Sequence, residues 1–113
     1  MGRSKKVTEK SEIQRLNRIL EGLPPEKLAV AEGLIVQAAR LRVQLDEIYE
    51  DLKVYGRTEM FQQSEKCEPY ERERPAAAQF VKLDKNYQAV MKTLAEMTPV
   101  KVEQGKLMSM MME

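Results

Sequence analysis

Residues 28–45 read LAVAEGLIVQAARLRVQL, and 13 of these 18 residues are apolar or Gly. The apolar positions do not keep to one side. On a helix of 3.6 residues per turn they cover much of the circumference, and a helix apolar nearly all round must be covered on several sides. The stretch sits inside a longer run. Pro24-Pro25 opens it, because proline suits a first helical turn and blocks continuation of the helix before. No breaker other than Gly33 follows until Gly56. The spacing predicts one helix of about 31 residues, about 45 Å long. Its main stripe is Leu34, Ala38, Leu41, Leu45, Ile48, Leu52 and Tyr55, a heptad seam. Beyond Asp46 the apolar residues narrow to that seam and acids fill the other faces.

Two shorter helices flank this one. Upstream, Ile13, Leu16, Leu20 and Leu23 repeat at steps of three and four. They predict a helix starting near Ser11 as N-cap and ending near Gly22. Downstream, Phe80, Leu83, Tyr87, Val90, Leu94 and Met97 make a second seam, opened by Pro75 and closed before Pro99. Two seams of similar length predict an antiparallel helical hairpin. The connection 56–75 is long for a helix–helix link and reads as exposed loop, with Thr58-Glu59-Met60-Phe61 as a short turn. The expected fold is all-α: a short N-terminal helix, then a long antiparallel hairpin, assembling into a ring-like homo-oligomer. Residues 1–10 are expected as a basic disordered arm, 11–98 as the hairpin oligomerisation domain and 99–113 as a flexible, Met-rich C-terminal tail.

Composition removes most chemistry. With 113 residues, one domain is the natural expectation. There is no His, so His-based metal sites and His-dependent triads or dyads are excluded. A single Cys, Cys67, forms no intramolecular disulfide and fits a reducing compartment. No glycine-rich phosphate loop is present. Glu47, Glu50 and Asp51 stand at helical spacing, as metal ligands would, but read as a solvated acidic face. No enzyme activity, cofactor or metal is expected. No apolar run approaches the roughly 20 residues of a membrane span, and no signal-type stretch follows the basic start.

Charge is polarised along the chain. Residues 1–18 carry six bases against two acids, whereas residues 44–74 carry nine acids against five bases. The basic end, Arg3, Lys5, Lys6, Lys10, Arg15 and Arg18, is the candidate phosphate contact. The bland alternative is a solvated tail. Arg40 and Arg42 interrupt the apolar half of the long helix, and either line an oligomer interior or snorkel to water. Leu28, Leu34, Ile35, Ala38, Leu41 and Leu45 are the candidate oligomer interface, since one hairpin leaves them uncovered. The competing expectation is a monomeric three-helix bundle with the first helix lying over that surface.

The stretch Leu23-Pro24-Pro25-Glu26-Lys27-Leu28-Ala29-Val30-Ala31-Glu32-Gly33-Leu34-Ile35 resembles the start of the long helix in small terminase subunits of tailed double-stranded DNA phages. Tyr55-Gly56-Arg57-Thr58-Glu59-Met60-Phe61 is similar to that family's turn after the long helix. Arg74-Pro75-Ala76-Ala77, then Phe80, Asn86-Tyr87 and Met91-Lys92-Thr93-Leu94, resemble its second hairpin helix. The resemblance covers roughly residues 12–98, on short motifs. It implies a non-enzymatic ring that binds double-stranded viral DNA and hands it to the large terminase subunit in the host bacterial cytoplasm. Some members carry a separate N-terminal helix-turn-helix domain. This chain has only about 22 residues before the long helix, too few for one. DNA contact is then expected from the arm, the first helix or the ring surface, and the large-subunit contact from residues 100–113. A different class of reading is a helical scaffold or regulatory module that binds protein and no nucleic acid.

Overall fold

Thr8, and not Ser11, caps the first helix, α1, which spans Glu9–Ile19. The Thr8 hydroxyl accepts from the Ser11 amide at 3.1 Å, and the Ser11 hydroxyl accepts from the Thr8 amide at 3.0 Å. This reciprocal box satisfies two orphan donors at once. Ser11 was the expected cap because it is the visible half of that box, three residues too late. Lys10, expected in the arm, is therefore helical. The structure, a computed structural model, describes residues 6–97 and 101–113.

The long helix α2 spans Pro25–Tyr55, and α3 spans Pro75–Glu96. Both open on the expected prolines. They run antiparallel, pinned at both ends. The Lys27 ammonium donates to the Met97 carbonyl at 2.9 Å near the start of α2. At the other end Arg74 donates to the Gly56 carbonyl at 2.7 Å and to Asp51 at 2.8 Å. Ala38, Leu45 and Leu52 of α2 and Tyr87 and Leu94 of α3 are buried along the seam.

The connection is not only loop. Gly56, at φ 81°, turns the chain out of α2, in a region that favours glycine. Strands β1 (Thr58–Phe61) and β2 (Tyr70–Glu73) then pair antiparallel, Thr58 opposite Glu73 and Phe61 opposite Tyr70. Cross-strand pairs account for it. The Phe61 and Tyr70 rings meet edge-on at 5.9 Å, and Arg72 ion-pairs with Glu59 at 2.7 Å. The Arg72 guanidinium also lies 3.6 Å from the Phe61 ring centroid. The charged, Pro-bounded sequence masked this short ribbon.

The largest departure is at the C-terminus. The segment expected as a flexible tail is helix α4, Lys101–Met112. Met111 is fully buried in the main core, with Leu107 and Met108 packed against it. Helix α4 lies on α3 and touches α1, while α1 lies on α2. The proximal half of the hairpin is thus one side of a four-helix head, with α1 and α3 on a diagonal. The distal half is a bare two-helix stalk with the ribbon at its tip.

This head covers one side of residues 28–45 and leaves Val30 65% exposed on another. Leu16 from α1 and Leu20 at its C-cap, Met91, Leu94 and Ala95 from α3 and Met111 from α4 enclose Ala31, Ile35 and Ala38. Three of the six residues expected between copies are therefore spent within one chain. Ile35, Ala38 and Leu45 are 2%, 0% and 7% exposed and offer no surface to a neighbour. Leu28, Leu34 and Leu41 remain half-buried. The expectation missed α4, whose apolar residues are nearly contiguous from Leu107 to Met112 and show no helical period.

Candidate nucleic-acid interface

Helix α1 separates its charges by side. Both of its acids are paired, Glu12 inward and Glu9 at the surface. The Glu12 carboxylate is 3% exposed and receives a two-pronged contact from Arg15, Nε and Nη2 each at 2.8 Å. Arg42 of α2 stands 3.7 Å from the same carboxylate and 3.4 Å from Asp46. Glu9 pairs with Arg40 of α2 at 3.5 Å. A buried carboxylate is tolerated only when paired in this way. Arg42 thus ties α1 to α2, and the exposed Arg40–Glu9 pair adds little.

Arg15 has a second duty. It donates to the Met110 carbonyl at 3.1 Å and to the Met111 carbonyl, closing the C-terminal end of α4. A cation there satisfies orphan carbonyls and opposes the helix dipole. The Glu12 hydrogen bond holds the Arg15 guanidinium above its ordinary pKa, against the opposing effect of burial. For Arg42, burial acts downward, and Tyr87, Asp46 and Glu12 outweigh it, so its pKa is also raised. Burial pushes the Tyr87 phenol up, with Arg42 opposing. The Tyr87 hydroxyl has no hydrogen-bond partner of good geometry.

The outward side of α1 is what remains. Lys10, Gln14, Asn17 and Arg18 are exposed and fall on one helical stripe, with exposed Lys6 just before it. From Lys10 to Arg18 the stripe runs about 12 Å. Among the described residues Lys6, Lys10 and Arg18 make no ion pair. Of the six candidate phosphate contacts, these three form a surface. Arg15 does not belong to it, because Glu12 and α4 occupy its guanidinium. Arg3 and Lys5 lie outside the described residues. Gln14 and Asn17 escaped sequence reasoning, although their spacing from Lys10 places them on the same side.

In the stalk, Asp51 is taken by Arg74 and Glu50 by Lys53 at 3.3 Å. Among the described residues no group of three or more Cys or carboxylate side chains is placed to hold a metal ion. No helix among them is long and apolar enough to cross a membrane. A groove of about 460 Å³ follows the outer α2–α3 seam, lined by Gln37, Arg40, Leu41, Gln44, Asn86, Ala89 and Val90. Val30 stands 65% exposed on the same side of α2.

No family model matches the chain, and no curated protein or solved structure matches it either.

Proposed function

We propose that this chain is a DNA-packaging adaptor of the small-terminase kind. In this reading it binds double-stranded viral DNA as a ring-like homo-oligomer and passes it to the large terminase subunit in the bacterial host's cytoplasm. The observation that carries the reading is the sorting of charge on α1. Both acids are paired, Glu12 inward with Arg15 and Glu9 at the surface with Arg40, and Lys6, Lys10 and Arg18 are left outward with two amide side chains between them. Bases with interleaved amides suit phosphate and sugar contact. One copy is weak, and repetition around an oligomer supplies avidity.

The surface between copies is redrawn. Leu34 and Leu41 stay in it, joined by Val30, Gln37 and Gln44 on the outer face of α2. Ile35, Ala38 and Leu45 leave it. The resemblance in the sequence supplies the packaging context, and the electrostatics supply the DNA.

A protein-binding scaffold is the second reading, favoured by one observation: α1, α3 and α4 enclose Ala31, Ile35 and Ala38 without help from another copy. Native mass and DNA titration separate the two. An oligomer above dimer, with duplex binding that weakens steeply in salt, supports the adaptor. A single chain that retains no duplex at low salt supports the scaffold.

A further inference from the structure

Helix α3 carries one acid, Asp84, between Pro75 and Ala95. That acid is half-buried and accepts from Gln88 at 2.9 Å, so it does not face the solvent freely. The outward side of α3 presents Lys82, Lys85, Asn86, Ala89, Lys92 and Thr93, all exposed. Lys82 and Lys85 have no ion-pair partner among the described residues. Lys92 is 74% exposed and only loosely placed, at 4.0 Å, beside Glu96. Such exposed pairs hold a lysine weakly. The three ammonium groups extend over about 15 Å of helix. Asn86, exposed between them on the same side, adds one hydrogen-bonding amide.

We infer that this ridge is a second track for the phosphate backbone of double-stranded DNA, separate from the α1 stripe. The inference rests on the proposed DNA binding and says where else the duplex lies. Charge complementarity names the occupant: three exposed lysines along about 15 Å of one helix side suit a polyanion. Geometry makes it a distinct contact. Helices α1 and α3 occupy a diagonal of the head, so their outward sides point apart. The ridge is on a different helix from the α1 stripe, and α1 and α3 each pack on α2 and α4. The ridge engages a second duplex segment or a neighbouring turn of a bent one.

The test uses the full chain and a short labelled duplex, titrated at several salt concentrations. Four proteins are compared: wild type, an α1 variant (Lys6→Gln, Lys10→Gln, Arg18→Gln), a ridge variant (Lys82→Gln, Lys85→Gln, Lys92→Gln) and the six-fold combination. Helical circular dichroism and native mass should be the same for all four, since each substituted side chain is exposed. The α1 variant should keep salt-dependent binding that the combination loses. The ridge variant should bind about tenfold more weakly than wild type, with a log–log salt slope shallower by about 2.7 for three lost phosphate contacts. A ridge variant matching wild type in affinity and slope, or a combination binding like the α1 variant, overturns the second track and leaves the α1 stripe intact. A wild type that binds no duplex at low salt removes both surfaces together with the proposed function.

Discussion

Arg15 and Arg18 sit three residues apart in one basic stretch and do opposite work. Arg15 ties Glu12 to the last carbonyls of α4, and Arg18 faces water. Arg15→Ala should lower unfolding free energy by about 2–3 kcal/mol in urea titration, because it strips a buried carboxylate of its best partner. Arg18→Gln should change it by less than about 0.5 kcal/mol while weakening duplex binding. Equal stability losses for the two would contradict the division. Tyr87 gives a second test at this scale. Its phenol pKa is raised in the fold, so the neutral form is favoured and the stability this confers is present below the ordinary tyrosine pKa. It is lost as pH climbs from about 10 through the higher folded value. Tyr87→Phe should flatten that alkaline decline, and by removing an unpartnered buried hydroxyl it should gain about 1 kcal/mol near neutral pH. A loss of stability at neutral pH would mean that the hydroxyl is bonded after all. Which arginine points inward was not legible in the sequence. The roles depend on where α2 and α4 lie, and helix periodicity alone places Arg15 and Arg18 within a turn of each other.

At the scale of elements, the prolines and heptad seams of α2 and α3 were plain to read, because both helices repeat apolar residues at steps of three and four between strong breakers. Helix α4 and the ribbon were not, for different reasons. The ribbon is four cross-strand pairs long, too short for alternation to stand out from a charged loop. Helix α4 has Gly105 within it and a crowded apolar end, and it is held by docking rather than by propensity. Its docking predicts the result of deleting residues 101–113. Met91, Leu94 and Leu16, each fully buried, would lose part of their cover. The truncated chain should bind a hydrophobic dye, melt at a lower temperature and gain mass by association. If it stays as stable as the full chain and keeps the same mass, α4 contributes no cover and the four-helix head is wrong. Replacing 57–73 by a short linker should leave the head's melting temperature unchanged, since no ribbon residue belongs to the main core.

The whole molecule is extended. It measures 64 × 35 × 23 Å, with a radius of gyration of 18.5 Å. A compact chain of this length has about 13 Å. Its accessible surface is 8288 Å², against about 6,400 Å² for a compact monomer of this mass. A head that encloses its own core and a stalk that encloses little is a shape in which folding and assembly are separable. The outer face of α2 is where that separation can be tested, because Val30 and Gln37 are exposed there and contribute little to the fold. Val30→Glu with Gln37→Glu puts two like charges on the face that copies would share, and desolvating them there is costly. Helicity and melting temperature should be preserved. Native mass should fall from the oligomer to a single chain, and duplex affinity should drop by more than about tenfold as the repeated contacts are lost. The joint fall is the informative outcome, since it links assembly to binding with the lysines proposed to contact phosphate untouched. Mass that falls with affinity unchanged would locate DNA binding in the single chain and remove the need for an oligomer. A variant that keeps its wild-type mass would show that copies do not meet through α2.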